Sequence, residues 1–260
     1  MIPAAVTAVA LATVRVPVAN VWEAPAAGHL PLDPHVWPTP AISYEQRLAL
    51  VGSMPTQVLY GETVQVLERR NGWTRIEVPD QPSPLGTHGY PGWILSWQLA
   101  KGKTAGPSAI VTVRSVKLAN GDEVGFGSQV PRDAVPAAAV KPLPKTRADI
   151  VRSAKLFLGL HYLWGGLSSW GMDCSGLTWA AYRAHGITIP RDADAQFTAG
   201  KPVALADALP GDLIFFEGAT KPGHVAMLIG GGLMIEAPNS STVVRIVPIR
   251  PGNVGVRRFL

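Results

Sequence analysis

Gly171-Met172-Asp173-Cys174-Ser175-Gly176-Leu177-Thr178-Trp179-Ala180-Ala181-Tyr182-Arg183-Ala184-His185-Gly186 reads as a helix with both ends marked. Asp173 is a good N-cap, able to accept a backbone N–H of the first turn, and Gly186 falls at the C′ position. The helix therefore runs from Asp173 to about His185. An earlier helix is predicted from a Thr146 cap to about Leu158, with Ile150, Val151, Ala154, Phe157 and Leu158 on helical spacing and Gly159 ending it. Strand-like runs follow at Asp212–Phe216, Val225–Ile229, Leu233–Ala237 and Val243–Val247. Helices first and strands afterwards, with short connections, give an α+β unit with a largely antiparallel sheet.

Upstream the texture changes. Of 260 residues 24 are proline, nearly twice the usual share of roughly 5%, and they concentrate before residue 145, so long helices are not expected there. Thr13–Val16, Thr63–Glu68 and Trp73–Val78 alternate as half-buried strands do. Asn71-Gly72 marks a hairpin, and Gly89-Tyr90-Pro91-Gly92-Trp93-Ile94 turns into another strand. Residues 24–45 form a Pro-rich insertion, with a short helix around Tyr44–Leu50. A second β unit spans 107–143, with strands at Ala109–Val113 and Val124–Val130 and a turn at Asn120-Gly121. The expected organisation is 1–104, a small β-barrel with the insertion; 105–144, a second small barrel and linker; and 145–260, the α+β unit.

Composition narrows the function. A hydrophobic share of 47% excludes wholesale disorder. The net charge of +5 is scattered, without a basic stripe, so no nucleic-acid partner is expected. No run of 18 apolar residues occurs, so no membrane span is expected. The apolar stretch Ile2–Val14 lacks a basic n-region and reads as a first strand rather than a leader, though a chain trimmed of its leader would look the same.

A single cysteine allows no internal disulfide and no Cys-rich zinc site. A lone cysteine is more often a small buried apolar residue than a catalyst. At the start of a helix, however, the free N–H groups and the positive dipole end favour a thiolate and could help form an oxyanion hole. Gly165, Gly166 and Gly171 would let a substrate backbone approach. Of six histidines, His29, His35 and His88 sit in Pro/Gly loops, His161 precedes the cysteine loop, and His185 lies about 16 Å along the helix from Cys174. His224 remains as the base. A turn centred on Gly230 would place Glu236 directly opposite it, completing a Cys-His-acid set. A polar pair at a hairpin rim is the competing reading, and a zinc site from the three lacks any ligand spacing.

Tyr162-Leu163-Trp164-Gly165-Gly166, Asp173-Cys174-Ser175-Gly176-Leu177, Pro190-Arg191, Pro210-Gly211-Asp212-Leu213-Ile214-Phe215-Phe216 and Gly223-His224-Val225-Ala226-Met227-Leu228-Ile229-Gly230 closely resemble the NlpC/P60 cysteine peptidases over roughly 146–260. The resemblance implies a papain-like core with Cys174 as nucleophile, His224 as base and Glu236 at the orienting position, where the family often has histidine. No cofactor or metal is implied. The β half resembles bacterial SH3 (SH3b) modules. Gln57-Val58-Leu59-Tyr60-Gly61-Glu62 and Gly89–Trp93 are similar to the γ-D-glutamyl-L-diamino acid endopeptidases, which cut short peptidoglycan peptides.

By motif position Glu62, Tyr90 and Asp173 would receive the free amine of an N-terminal L-Ala. Ser175, Arg191, Tyr162 and Trp164 would line the substrate cleft. Ala193 departs from the serine often found after Pro-Arg-Asp. A murein-recycling endopeptidase in the cytoplasm is the expectation. The alternatives are a secreted D,L-endopeptidase acting on intact wall stems, for which Glu62→Ala would leave activity unchanged, and a non-enzymatic SH3b wall-binding protein.

Overall fold

The structure, a computed structural model, describes residues 10–25, 42–103, 108–218 and 221–260. The leader question at the first nine residues, most of the Pro-rich insertion, His29 and His35 lie outside the described residues.

The helix quoted above forms as Cys174–Arg183, with Asp173 capping it by accepting the Gly176 N–H at 2.6 Å. A Ser, Thr, Asn or Asp cap of this kind contributes about 1 kcal/mol. Thr146 caps its helix as expected, but that helix is Arg147–Lys155 and stops short of Leu158. Leu156, Phe157 and Leu158 donate three residues back instead of four, and Gly159 then takes φ +80. The tightened turn ends the helix early. A further helix, Ala193–Ala199, and a last strand, Asn253–Arg258, complete the unit.

Six antiparallel strands form the C-terminal sheet. Their order is Lys201–Val203, Asn253–Arg258, Leu213–Glu217, Pro222–Gly230, Leu233–Glu236 and Arg245–Pro248. The cysteine helix packs on the strand Pro222–Gly230, which brings Cys174 and His224 to one face. The chain is thus a mix of helices and several sheets, with helices preceding an antiparallel sheet in its C-terminal part.

In the N-terminal half, Asn71 and Gly72 both take positive φ and join Thr63–Arg70 to Trp73–Val78 with Arg70 facing Trp73, the two-residue hairpin expected. Five strands order as Tyr90–Leu95, Trp73–Val78, Thr63–Arg70, Ala10–Val14 and Leu99–Lys101, with Val18–Val21 and Thr56–Leu59 as a separate pair. The expected strand Val124–Val130 is broken into Glu123–Gly125 and Gln129–Pro131 by a turn in which Gly127 has φ +89. Among the described residues no sheet closes on itself. Closure fails in the second unit for want of strand length, because its four strands have three residues each and pair only two by two. Among the described residues no helix is long and apolar enough to cross a membrane.

One apolar core runs through all three segments. Val18, Leu50, Met54 and Leu59 from the first and Phe126 from the second join Ile150, Phe157, Trp179 and Phe215 of the last. Phe126 and Phe157 meet edge to face, 5.4 Å between centroids. Arg183, at the far end of the cysteine helix, bonds Asp80 (2.9 Å), pairs with buried Glu62 (2.6 Å) and donates to Gly127 O (2.7 Å), so one guanidinium ties both β units to the helix.

Because the core is shared, calorimetry is expected to show one cooperative unfolding transition. Phe126→Ala should lower stability by about 3–5 kcal/mol without splitting that transition.

Candidate active site

Cys174 is the first residue of its helix, 9% exposed, at the floor of a cleft of about 600 Å³. Asp173 takes the Gly176 N–H, while the N–H groups of Cys174 and Ser175 have no carbonyl one turn back and are free to bind an anion. The nearby glycines serve the protein's own packing rather than a substrate. A Cβ on Gly165 would lie 1.9 Å from Met54 O, and one on Gly176 2.1 Å from Gly166 O. The expectation that Gly165, Gly166 and Gly171 admit substrate is corrected accordingly.

His224 stands beside Cys174 on the neighbouring strand. Its Nε2 is 2.9 Å from Glu236 Oε2, and its ring is close enough to the Cys174 side chain to interact with it electrostatically. With Nε2 committed to the carboxylate, Nδ1 is the nitrogen left for the thiol. Burial opposes the imidazolium, but its interactions with Cys174 and Glu236 and their charges outweigh it and raise the His224 pKa to about 9. Burial likewise opposes the Glu236 carboxylate. Hydrogen bonds from His224, Arg250 and Arg245 outweigh it there and hold the pKa at about 2.

The strand register differs from the expectation. Met227 faces Ile235 and Leu228 faces Met234, so His224 and Glu236 are offset by two residues rather than directly opposed. Gly230, Gly231 and Gly232 all take positive φ and shift the turn. An offset of two preserves the face, and glutamate is long enough to span the diagonal.

Around the cleft, Tyr90, Tyr162, Trp164, Asp173 and Ser175 are all brought to the lining, as expected. Trp164 is 38% exposed at its mouth. Two expected residues are not in it. Glu62 is fully buried, paired with Arg183 and accepting the Leu59 N–H, and burial pushes its carboxyl up to about 7 against the pull of that arginine. Its turn position in sequence concealed that it closes over another unit.

Arg191 is also fully buried, beneath the cleft rather than lining it. It donates to Asp173 Oδ1 (3.1 Å) and Oδ2 (2.8 Å), Ser175 Oγ (2.9 Å), Gly166 O (3.4 Å) and Thr56 Oγ1 (2.9 Å). Ser175 faces this guanidinium and Asp173 rather than open solvent.

Sequence reasoning missed three acids at the cleft: Glu23, Asp192 and Asp194. Tyr90 donates its hydroxyl to Asp192 Oδ2 at 3.0 Å, and burial raises the Asp192 pKa. The Tyr90 phenol is pushed up by burial and by the Asp192 charge. Asp194 pairs with Lys221, and both line the cleft. Asp192 was visible as the residue after Pro190-Arg191, but Glu23 sits at the head of the Pro-rich insertion with no motif to mark it. Ala193 lines the cleft at the start of its helix. The remaining histidines are elsewhere: His185 is buried between Ser153 Oγ and Pro144 O, and His161 and His88 are exposed.

A model of the NlpC/P60 family matches residues 159–254. A γ-D-glutamyl-L-lysine dipeptidyl-peptidase of Bacillus subtilis (strain 168) is 35% identical over 91% of this chain and 93% of its own. One of Bacillus cereus is 31% identical over 96% of this chain and 91% of its own. The crystal structure of a Bacillus cereus NlpC/P60 family protein superposes over 96% of this chain and 99% of its own, with a TM-score of 0.85 and 30% identity.

Because the folded His224 pKa lies above its ordinary value of 6.5, the stability gained from its partners is fully present below about pH 6.5 and lost as pH rises through about 9. An NMR titration of the imidazole should give a midpoint near 9. Cys174→Ala should lower it, since it removes that interaction and its charge.

Proposed function

The chain belongs to the NlpC/P60 family and is a cysteine peptidase, and from that premise we propose that it hydrolyses the γ-D-Glu–L-diamino acid bond of peptidoglycan-derived peptides with a free N-terminal L-Ala. Cys174 is the nucleophile, His224 the base and Glu236 the orienting acid. His224 Nδ1 takes the thiol proton, and the thiolate attacks the γ-carbonyl carbon. The oxyanion forms against the first-turn N–H groups of the helix. The imidazolium then protonates the leaving amine, a thioester remains on Cys174, and water activated by His224 hydrolyses it.

One observation carries the substrate assignment: the cleft that Cys174 lines is also lined by Glu23, Asp173 and Asp192, with the Tyr90 hydroxyl donating to Asp192. An ammonium leaving water needs charged acceptors close by. Asp173 is already shared with Arg191 and Asp192 with Tyr90, so Glu23 takes the place that motif position gave to Glu62. The names of the two Bacillus relatives fit the same substrate class, since a dipeptidyl-peptidase reads a free N-terminus. The alternative of cleavage on intact wall stems has no use for these acids.

The β units at 1–104 and 105–144 are SH3b-type modules in this reading, supported by their short antiparallel strands and tight turns, with 145–260 the catalytic unit. The first module walls the cleft with Tyr90 and Trp93.

The test follows L-Ala-γ-D-Glu-L-Lys, its diaminopimelate counterpart and their N-acetylmuramyl-capped forms by mass spectrometry. The free-amine peptides should be cut and the capped ones spared; equal cleavage of both overturns the amine claim. Cys174→Ala should abolish turnover. Glu23→Gln is expected to raise KM about tenfold or more, whereas Glu62→Gln should shift melting and leave KM near that of the parent.

A further inference from the structure

Glu236 is wholly buried, yet both its oxygens are saturated with donors. Oε1 accepts from Arg245 Nε (3.2 Å) and Nη2 (3.0 Å). Oε2 accepts from Arg250 Nη1 (2.7 Å) and lies 2.9 Å from His224 Nε2. Four partners occupy the roughly four lone-pair positions a carboxylate offers, so the group has no site left for a proton of its own. Arg245 faces Glu236 across the strand ladder. Arg250 comes from beyond the strand and lies over the Phe216 ring, 4.0 Å to its centroid, and that ring lies beside His224 at 5.9 Å. Both arginines are partly exposed, at 46% and 41%, and so keep part of their hydration while serving a buried anion.

We propose that Arg245 and Arg250 are positioning residues that keep Glu236 a fixed anion and thereby hold His224 in the tautomer with its proton on Nε2. The inference rests on the catalytic reading of Cys174, His224 and Glu236 given above. Without the guanidinium groups, burial would favour the neutral acid. A neutral carboxyl would donate its proton to Nε2, the ring would carry its own proton on Nδ1, and Nδ1 would face the thiol as a donor instead of a base. The imidazolium would also lose its counter-charge, and with it the support for the thiolate. The charged and titratable groups set around the carboxylate are His224 from one strand, Arg245 from the next and Arg250 beyond it, with Cys174 of the helix acting through the imidazole. The pair of arginines is what allows a buried glutamate to serve as the orienting residue down to acidic pH.

The test uses the full chain with Arg245→Gln, Arg250→Gln, the double variant and Arg250→Lys. Two profiles are recorded from about pH 2 to about pH 9: kcat/KM on L-Ala-γ-D-Glu-L-Lys, and the rate of Cys174 alkylation by iodoacetamide. The acid limb of both is expected to move up by about one pH unit for each guanidinium lost. Rates near neutral pH should stay within about threefold, KM should change less than kcat, and lysine at position 250 should restore part of the acid limb. Profiles that superpose on the parent overturn the proposal. A loss uniform across pH, accompanied by a lower melting temperature, overturns it as well, since that is a structural role. The alkylation profile needs no substrate and tests the arginines even if the peptide is not cut. Activity surviving Cys174→Ala would overturn the catalytic reading, whereas unshifted alkylation profiles overturn the role of the two arginines alone.

Discussion

The bond between Arg191 and Asp173 is the constraint on which the rest of the site depends. A guanidinium without solvent contact is tolerated only when its donors are met, and here each nitrogen has an oxygen partner. Those partners come from the helix cap, the residue after Cys174, the loop at Gly166 and Thr56 of the first β unit. The Arg191 backbone N–H adds a bond to Pro82 O of that unit. The cap that opens the cysteine helix is therefore fixed from outside the helix. Such a pair is weak evidence of net stability, because desolvation offsets most of the attraction. What it supplies is geometry: Asp173 can turn neither away from Gly176 nor toward the cleft without leaving a buried charge unmet.

That geometry explains why the active cleft lies at a seam. The N-terminal units contribute to the same core as the helix, and the approach of Gly165 to Met54 O leaves no room for a side chain between them. Tyr90 closes the seam from the other side by donating to Asp192. The walls are thus set by the same contacts that hold the units together. A cysteine and histidine on the C-terminal unit alone would form an open groove. The β unit adds Glu23, Tyr90 and Trp93 to the walls of the cleft.

Much of this was legible along the chain, and the failures have physical causes. Asp173, Thr146 and Gly186 marked helix limits because capping is a local matter of one side chain and the next turn. Asn71-Gly72 marked its hairpin because both residues accept positive φ. Alternation gave the face shared by His224 and Glu236 but not their register, since a period of two cannot distinguish offsets of zero and two. Three glycines in the turn left that offset free. Glu62 and Arg191 were misplaced for one reason: both are charged, which reads as surface, and each is buried with a partner more than a hundred residues away in sequence, Arg183 for Glu62 and Thr56, beside the nearer Asp173 and Ser175, for Arg191. Nothing local in Glu62 announces Arg183. The Arg245 clamp, by contrast, was within reach, because Asn239-Ser240-Ser241 is a turn that would set it against Glu236.

The charge of the whole molecule and the charge of its cleft point in opposite directions, and on the proposed reading both are needed. A net charge of +5 acts over a Debye length of about 8 Å at physiological ionic strength and favours approach of peptides rich in carboxylates. It cannot tell one end of such a peptide from the other. That choice falls to contacts of about 3 Å with the acids that line the cleft, Glu23 and the Tyr90–Asp192 pair among them. Asp173 takes part at reduced strength, because Arg191 already claims both its oxygens. The residue beside the nucleophile thus contributes position more than charge, and discrimination for a free amine rests on acids that the first β unit and the Asp192 turn bring to it.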